Sequence, residues 1–403
     1  MTDFATALAA FRPVTAQPIA LTELQARLAG LQARMLRDGV KAVWLDASSS
    51  LTYYTGLRLG LSERIHGALV PSSGPLIYVS PQFEVPKLRA MLRVDGNVAA
   101  WEEHEDPYAL IAAELAAMDA PGAGLALDPA TPFVFASALM LRVAGPVISA
   151  QAMIEAQRQR KSAAEIALIQ TAMDASFSVQ KAVHAGLRTG ISTTEVIDFI
   201  LAAHVALGLK PLFAAAQFGE ATAYPHGVPN PQILQQGDMV LIDMGGTLHG
   251  YASDITRTYV YGTPSPRQCQ LWELERQAQS AAFAAAQIGV VCGAVDAAAR
   301  GVFTAAGFGP DYQVPGLPHR TGHGLGLDIH EAPYIVAGND TPLAEGMCFS
   351  IEPMLCVYGE CGVRLEDIVY MTQSGPRWFV PPAERLDDPF ANLTTQSAIV
   401  SAP

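Results

Sequence analysis

The sequence predicts an α+β protein in two parts, an N-terminal α/β domain followed by a larger domain of helices and long strand pairs. Three observations carry this expectation. Up to about residue 150, short apolar runs alternate with segments of helical spacing. Next comes the positively charged stretch AQRQRKSAAEIALIQTAM, where a capping box opens a long helix. Beyond Asp238 the pattern changes to two long strand pairs, MVLIDMGGTLHGYASDITRTYVYG and MCFSIEPMLCVYGECGVRLEDIVYM.

Taken in order, residues 1–20 read as an extension, and Thr22 with Gln25 forms a capping box. Leu24, Leu28, Leu31 and Met35 then recur at helical spacing until Gly39 ends the run. The apolar runs KAVWLDA, GALVP, PLIYVSP, NVAAWEE and GLALDP read as strands, with helices at about Phe83–Leu92 and Pro107–Met118 between them. We place a boundary near residue 155, giving domains 21–155 and 156–403. Ser162 with Glu165 and Ser192 with Glu195 are two further capping boxes, and helices fill the interval from Pro266 to Ala306. Two helices and a strand pair thus occur twice, an element order that hints at duplication.

Composition removes several classes of function. Lys and Arg total 25 against 38 Asp and Glu, a net charge of −13 that disfavours nucleic acid as a partner. Hydrophobic residues are 50% and charged residues 16%, which suits a large, well-buried chain rather than a disordered one. No apolar stretch reaches the roughly 20 residues of a membrane span. The first twenty residues lack the basic start and apolar core of a secretory signal, so the expected location is the cytoplasm. Five cysteines without CxxC spacing read as buried free thiols, although Cys356 and Cys361 lie close enough in sequence to meet across a turn.

The chemistry concentrates in the strand pairs. Asp243 lies on the incoming strand of the first pair and Asp254 on the returning one, with GGTLHG as the turn. Glu352 in FSIEP and Glu366 in GVRLED repeat the arrangement, and HRTGHGLGLDIHE between them carries His319, His323 and His330. Four carboxylates gathered without cations repel one another, so such a cluster needs positive charge, and two divalent ions supply +4 against −4. Oxygen ligands with an imidazole suit Mn2+, Co2+ or Zn2+. Two such ions about 3.5–4 Å apart can share a bridging hydroxide, a nucleophile at neutral pH. Singly, each acid also fits a turn or hydrogen-bonding role; Glu352, between Ile351 and Pro353, is the one whose apolar setting demands a partner.

The ordered set Asp243, Asp254, His323, Glu352 and Glu366, with GYASDITRT, HRTGHGLGLDIHE, FSIEP and GVRLED around it, resembles the pita-bread metallopeptidases of family M24. These comprise methionine aminopeptidase, aminopeptidase P, prolidase and the metal-free creatinases. The preceding α/β domain is similar to that of the prolidase, aminopeptidase P and creatinase branch, which methionine aminopeptidases lack. The resemblance implies that Asp243 binds one ion, commonly through both oxygens, that Asp254 and Glu366 bridge both ions, and that His323 and Glu352 complete the second. The complete ligand set argues against a creatinase and against a non-catalytic binding module. His226 in AYPHGVPN, His319 and His330 match histidines that the family places around its ligands.

Amide hydrolysis then assigns expected roles. His226 and His330 are candidate donors to the developing oxyanion, and Glu352 is the candidate proton acceptor that later protonates the leaving prolyl nitrogen. Thr256 is expected either to orient a ligand or to stabilise the strand pair. Arg364 lies two residues before Glu366, on the same strand face, where it can meet a substrate carboxylate, orient a ligand or form a structural ion pair. Arg58 and Arg64 are the other cations considered for a free C-terminal carboxylate. The run GLDIHEAPYI looks more like prolidase, so the expected substrate is an Xaa-Pro dipeptide. Aminopeptidase P action on longer peptides, or hydrolysis of another small amide, is the alternative. The resemblance further implies a homodimer.

Overall fold

The computed structural model describes residues 3–390. Residues 1–2 of the expected extension and 391–403 of the expected second domain therefore lie outside the described residues. By its contacts the chain divides into Ile19–Arg158 and a second unit made of the residues up to Pro18 and those from Gln159 onward. The N-terminal segment groups with the second unit because Phe4 stacks on Phe199, with ring centroids 4.0 Å apart.

The Ile19–Arg158 unit holds a mixed six-stranded sheet: β1 (Val40–Asp46), β2 (Gly67–Pro71), β3 (Leu76–Pro81), β4 (Gly96–Trp101), β5 (Ala123–Leu127) and β6 (Val147–Ser149), in the order β4-β3-β2-β1-β5-β6. Buried Trp44, Leu69, Val79 and Leu125 face Ile111 and Leu139 of the covering helices. The first long helix, Leu21–Asp38, buries the predicted Leu24, Leu28, Leu31 and Met35 and ends at Gly39, whose φ of 69° favours glycine. Its start differs from expectation. Ala20 is the N-cap and makes no side-chain cap, so Thr22 sits inside the first turn rather than capping it. The segment expected as one helix at Phe83–Leu92 is a 3-10 turn, Gln82–Glu84, followed by the helix Val85–Met91.

In the second unit, the helices Ala163–Gly186 and Thr193–Ala206 both begin with the reciprocal capping boxes read from the sequence. A third box, Ser265 with Gln268, opens Pro266–Ala285, which the helix Cys292–Ala305 follows. One sheet comprises β7 (Lys210–Phe218), β8 (Met239–Leu248), β9 (Tyr251–Ala252) and β10 (Ile255–Val260), ordered β10-β8-β7 with β9 also on β8. The other is β12-β11-β13-β16-β17, from β11 (Gly322–Gly324), β12 (Glu331–Ile335), β13 (Cys348–Ile351), β16 (Asp367–Thr372) and β17 (Gly375–Trp378). Between β13 and β16, β14 (Met354–Val357) and β15 (Cys361–Arg364) pair separately.

Two expectations change here. The GGTLHG segment is not all turn, because β8 runs through Leu248 and only His249 and Gly250 turn, at φ of 48° and 83°. The second strand pair is one long hairpin interrupted on both arms, after Ile351 and after Arg364. Cys356 and Cys361 flank its tip without facing each other, since Cys356 pairs with Gly362. All five cysteines are free, four of them buried and Cys269 exposed. Among the described residues no helix is long and apolar enough to cross a membrane.

Candidate metal centre

Three of the four acids sit where strands break. Asp254 follows Ser253 in the gap between β9 and β10, Glu352 follows the end of β13, and Glu366 occupies the gap between β15 and β16. A strand interruption frees a side chain from the pleat, so acids from several strands can converge on one point. Asp243 is the exception, standing within β8 directly opposite Thr256 of β10. The interruptions are themselves pinned. Ser253 N–H donates to Gly246 O at 2.9 Å, Glu352 N–H to Thr321 O at 2.8 Å, and Glu366 N–H to Thr256 O at 3.1 Å.

His323 reaches the cluster from β11, its backbone N–H held by Ser350 Oγ at 2.9 Å. Its Nε2 lies 3.0 Å from Glu352 Oε1 and 3.6 Å from Asp254 Oδ2. The glycines beside it let β11 approach its neighbours closely: a Cβ on Gly322 would fall 1.9 Å from Ser350 O, and one on Gly324 2.5 Å from Ala332 O. Gly322→Ala is therefore expected to push β11 off β13 and to cost about 1–3 kcal/mol, the range for overpacking. Urea unfolding measures it, and unchanged stability would contradict this packing.

The electrostatics of the cluster favour positive charge beside these acids. Burial first, then repulsion from neighbouring acids, holds the carboxyls of Asp254 and Glu366 well above the usual carboxylate range. Burial also raises Asp243, although Arg364 opposes that shift. Burial works against the Glu352 carboxylate too, but the charge and hydrogen bond of His323 bring it down to about 2. Despite its burial, His323 is raised to about 8, chiefly by Glu352. Among the described residues Asp243 Oδ1 and Glu366 Oε1 are buried without any hydrogen-bond partner. Asp254, His323 and Glu366 each offer a ligand atom within 4.8 Å of the others. Acceptor-only oxygens left orphaned beside an imidazole and further acids are a donor set that fits divalent cations of the Mn2+, Co2+ and Zn2+ kind.

Thr256 Oγ1 donates to Glu366 Oε2 at 2.6 Å, so this threonine orients that carboxylate. Arg364 is fully engaged. It donates to Asp243 Oδ2 at 2.6 Å, to Pro225 O at 2.9 Å and to Thr256 Oγ1 at 3.2 Å, and only 4% of it is exposed. A bidentate Asp243 would thus share Oδ2 with Arg364. Of the three considered roles, orienting a ligand is the one this geometry supports. Arg64 is paired with Glu103 at 2.8 Å on the exposed surface of the N-terminal unit.

All the predicted site residues except Thr256 line one cavity of about 590 Å3. His226 stands in the turn after residues 219–223, and His319 and His330 flank β11. The His330 ring packs edge-on against His323 at 4.1 Å, and burial followed by the charge of His323 lowers its pKa to about 4. Burial lowers His319, whose Nδ1 lies 2.7 Å from Arg320 O. Sequence reasoning missed the apolar wall of Phe213, Pro225, Pro318 and Ile329, and also Arg320. HRTGHG was the available signal for Arg320, since it places an arginine between two site histidines.

Comparison with known proteins agrees with this architecture. Residues 167–373 match the model of metallopeptidase family M24, and residues 27–160 that of the creatinase/prolidase N-terminal domain. The chain is 37% identical over 361 residues to a probable dipeptidase PepE of Mycobacterium tuberculosis, covering 88% of this chain and 93% of that one. It is 35% identical over 339 residues to an Xaa-Pro dipeptidase of Lactobacillus helveticus, covering 82% and 90%. The solved structure of dipeptidase PepE from Mycobacterium ulcerans matches with a TM-score of 0.82 at 34% identity, covering 92% of this chain and 98% of that one.

Proposed function

The chain belongs to metallopeptidase family M24, with a creatinase/prolidase N-terminal domain and a pita-bread catalytic domain, and from that premise we propose that it is an Xaa-Pro dipeptidase (prolidase) using two divalent metal ions. One observation carries the reading: four convergent acids and an imidazole, two of their oxygens orphaned, open onto a cavity the size of a small peptide. The similarity to the L. helveticus Xaa-Pro dipeptidase supports proline after the scissile bond.

Asp243, Asp254, His323, Glu352 and Glu366 would hold the ions. Mn2+ and Co2+ suit this oxygen-rich set best, and Zn2+ also fits. When bound, two such ions supply a Lewis acid for the scissile carbonyl and lower the pKa of water towards neutrality. The protein side chains do the rest. Glu352 accepts the proton of the attacking water and returns it to the prolyl nitrogen, which leaves poorly unless protonated. His226 and His330 donate hydrogen bonds to the oxygen of the tetrahedral carbon. Thr256 and Arg364 keep the Glu366 and Asp243 carboxylates aimed at the cations. The same resemblance supports a homodimer, which sedimentation tests; action in the cytoplasm is a separate part of the proposal, which cell fractionation tests.

His330→Ala is expected to lower kcat by roughly 100-fold or more, the scale of a lost oxyanion donor, while metal content changes little. Metal loss as the main effect, measured by elemental analysis, would make His330 a ligand instead. The function itself is tested by assaying Ala-Pro, Ala-Pro-Ala and creatine with Mn2+- or Co2+-loaded protein. Preferential cleavage of Ala-Pro is the expected result. Preference for the tripeptide would indicate aminopeptidase P, and turnover of creatine alone would indicate a different small-amide hydrolase.

A further inference from the structure

Resting on the dipeptidase reading, we propose that Arg320 receives the C-terminal carboxylate of the substrate and so selects dipeptides over longer peptides. A free carboxylate entering a cavity that already holds four acids is repelled unless a cation meets it. Two arginines line that cavity. Arg364 is committed to Asp243, Thr256 and the Pro225 carbonyl, and is almost wholly buried. Arg320 is the opposite case. Among the described residues its guanidinium has no hydrogen-bond acceptor and no acid partner, although it is half-buried.

What it has is a platform. The Arg320 Cζ lies 4.6 Å from the centroid of the Tyr334 ring, a cation–π contact. A guanidinium held over a ring is positioned without spending its N–H donors on an acceptor, and two parallel N–H groups match the two oxygens of a carboxylate. Arg320 is also placed by its neighbours, because it follows His319, whose Nδ1 lies against the Arg320 carbonyl, and precedes the strand that carries His323. A peptide extended beyond proline has an amide where the dipeptide has its carboxylate, so it cannot form the ion pair. A cation stacked on Tyr334 for structure alone would not distinguish the two.

The test compares wild-type protein, Arg320→Ala and Arg320→Lys on Ala-Pro and on Ala-Pro-amide, alongside calorimetric titration with L-proline and L-prolinamide. For Arg320→Ala the ratio of kcat/KM on Ala-Pro to that on Ala-Pro-amide is expected to fall roughly 10- to 100-fold, mainly through KM, the scale of a charged hydrogen bond. Arg320→Lys should recover part of it, since lysine keeps the charge without the fork. Equal losses on acid and amide, or no loss on the acid, would overturn the assignment. If wild-type protein cleaves neither peptide, the dipeptidase reading fails and titration decides Arg320 alone. Tighter binding of proline than prolinamide that disappears in Arg320→Ala supports it, and the absence of such a difference overturns it.

Discussion

Glu352→Gln is expected to reduce imide hydrolysis by about 100- to 10,000-fold while the protein remains folded. The Glu352 side chain is only 13% exposed, its Oε1 lies 3.0 Å from His323 Nε2, and Ser350 Oγ donates to it at 3.1 Å. Glutamine has the same shape and keeps an oxygen for both contacts, so packing is conserved. It cannot take a proton at neutral pH, and it removes one negative charge from the cluster. A melting temperature near that of wild type together with a collapse in kcat is the expected pair of measurements. Near-normal turnover would remove Glu352 from the proton-transfer role.

The second large effect lies beneath the centre. Arg257 and Asp367 form an ion pair at 2.7 Å in which both side chains are fully buried. Arg257 also donates to the carbonyls of Thr256, Glu366 and Pro381, so a single guanidinium ties β10 to the interruption that carries Glu366. Among the described residues, Arg257→Met would leave the buried Asp367 carboxylate with Gln279 as its one side-chain donor. The expected loss is about 3–5 kcal/mol in urea unfolding, the scale of breaking one side of a buried pair. Arg257→Met combined with Asp367→Leu should recover much of it, because the uncompensated charge is then gone. A loss under about 1 kcal/mol in the single variant would contradict this role.

These two cases show what the sequence discloses and what it withholds. Helices are legible where local chemistry specifies them: Leu24, Leu28, Leu31 and Met35 mark a buried face, and Ser162 and Ser192 cap their helices as read. The helix Phe133–Arg142 escapes because FVFASALMLR is apolar nearly all round and leaves Phe133 and Leu141 exposed, so no period stands out. The acids of the candidate centre are legible from their order, yet the strand breaks that make them converge are not. Those depend on hydrogen bonds between residues far apart in sequence, such as Thr256 with Glu366. Arg364 and Arg320 make the same point. The sequence leaves three roles open for Arg364 and draws no attention to Arg320, and only tertiary pairing commits the first to Asp243 while leaving the second, among the described residues, without an acid.

The most direct measurement removes all metal with a chelator and follows Ala-Pro hydrolysis as Mn2+ or Co2+ is returned in known equivalents. The account predicts no hydrolysis by the metal-free chain and activity that rises to a plateau at about two ions per chain, the charge needed to balance four carboxylates. Full activity in excess chelator, or no hydrolysis at any loading, would contradict it.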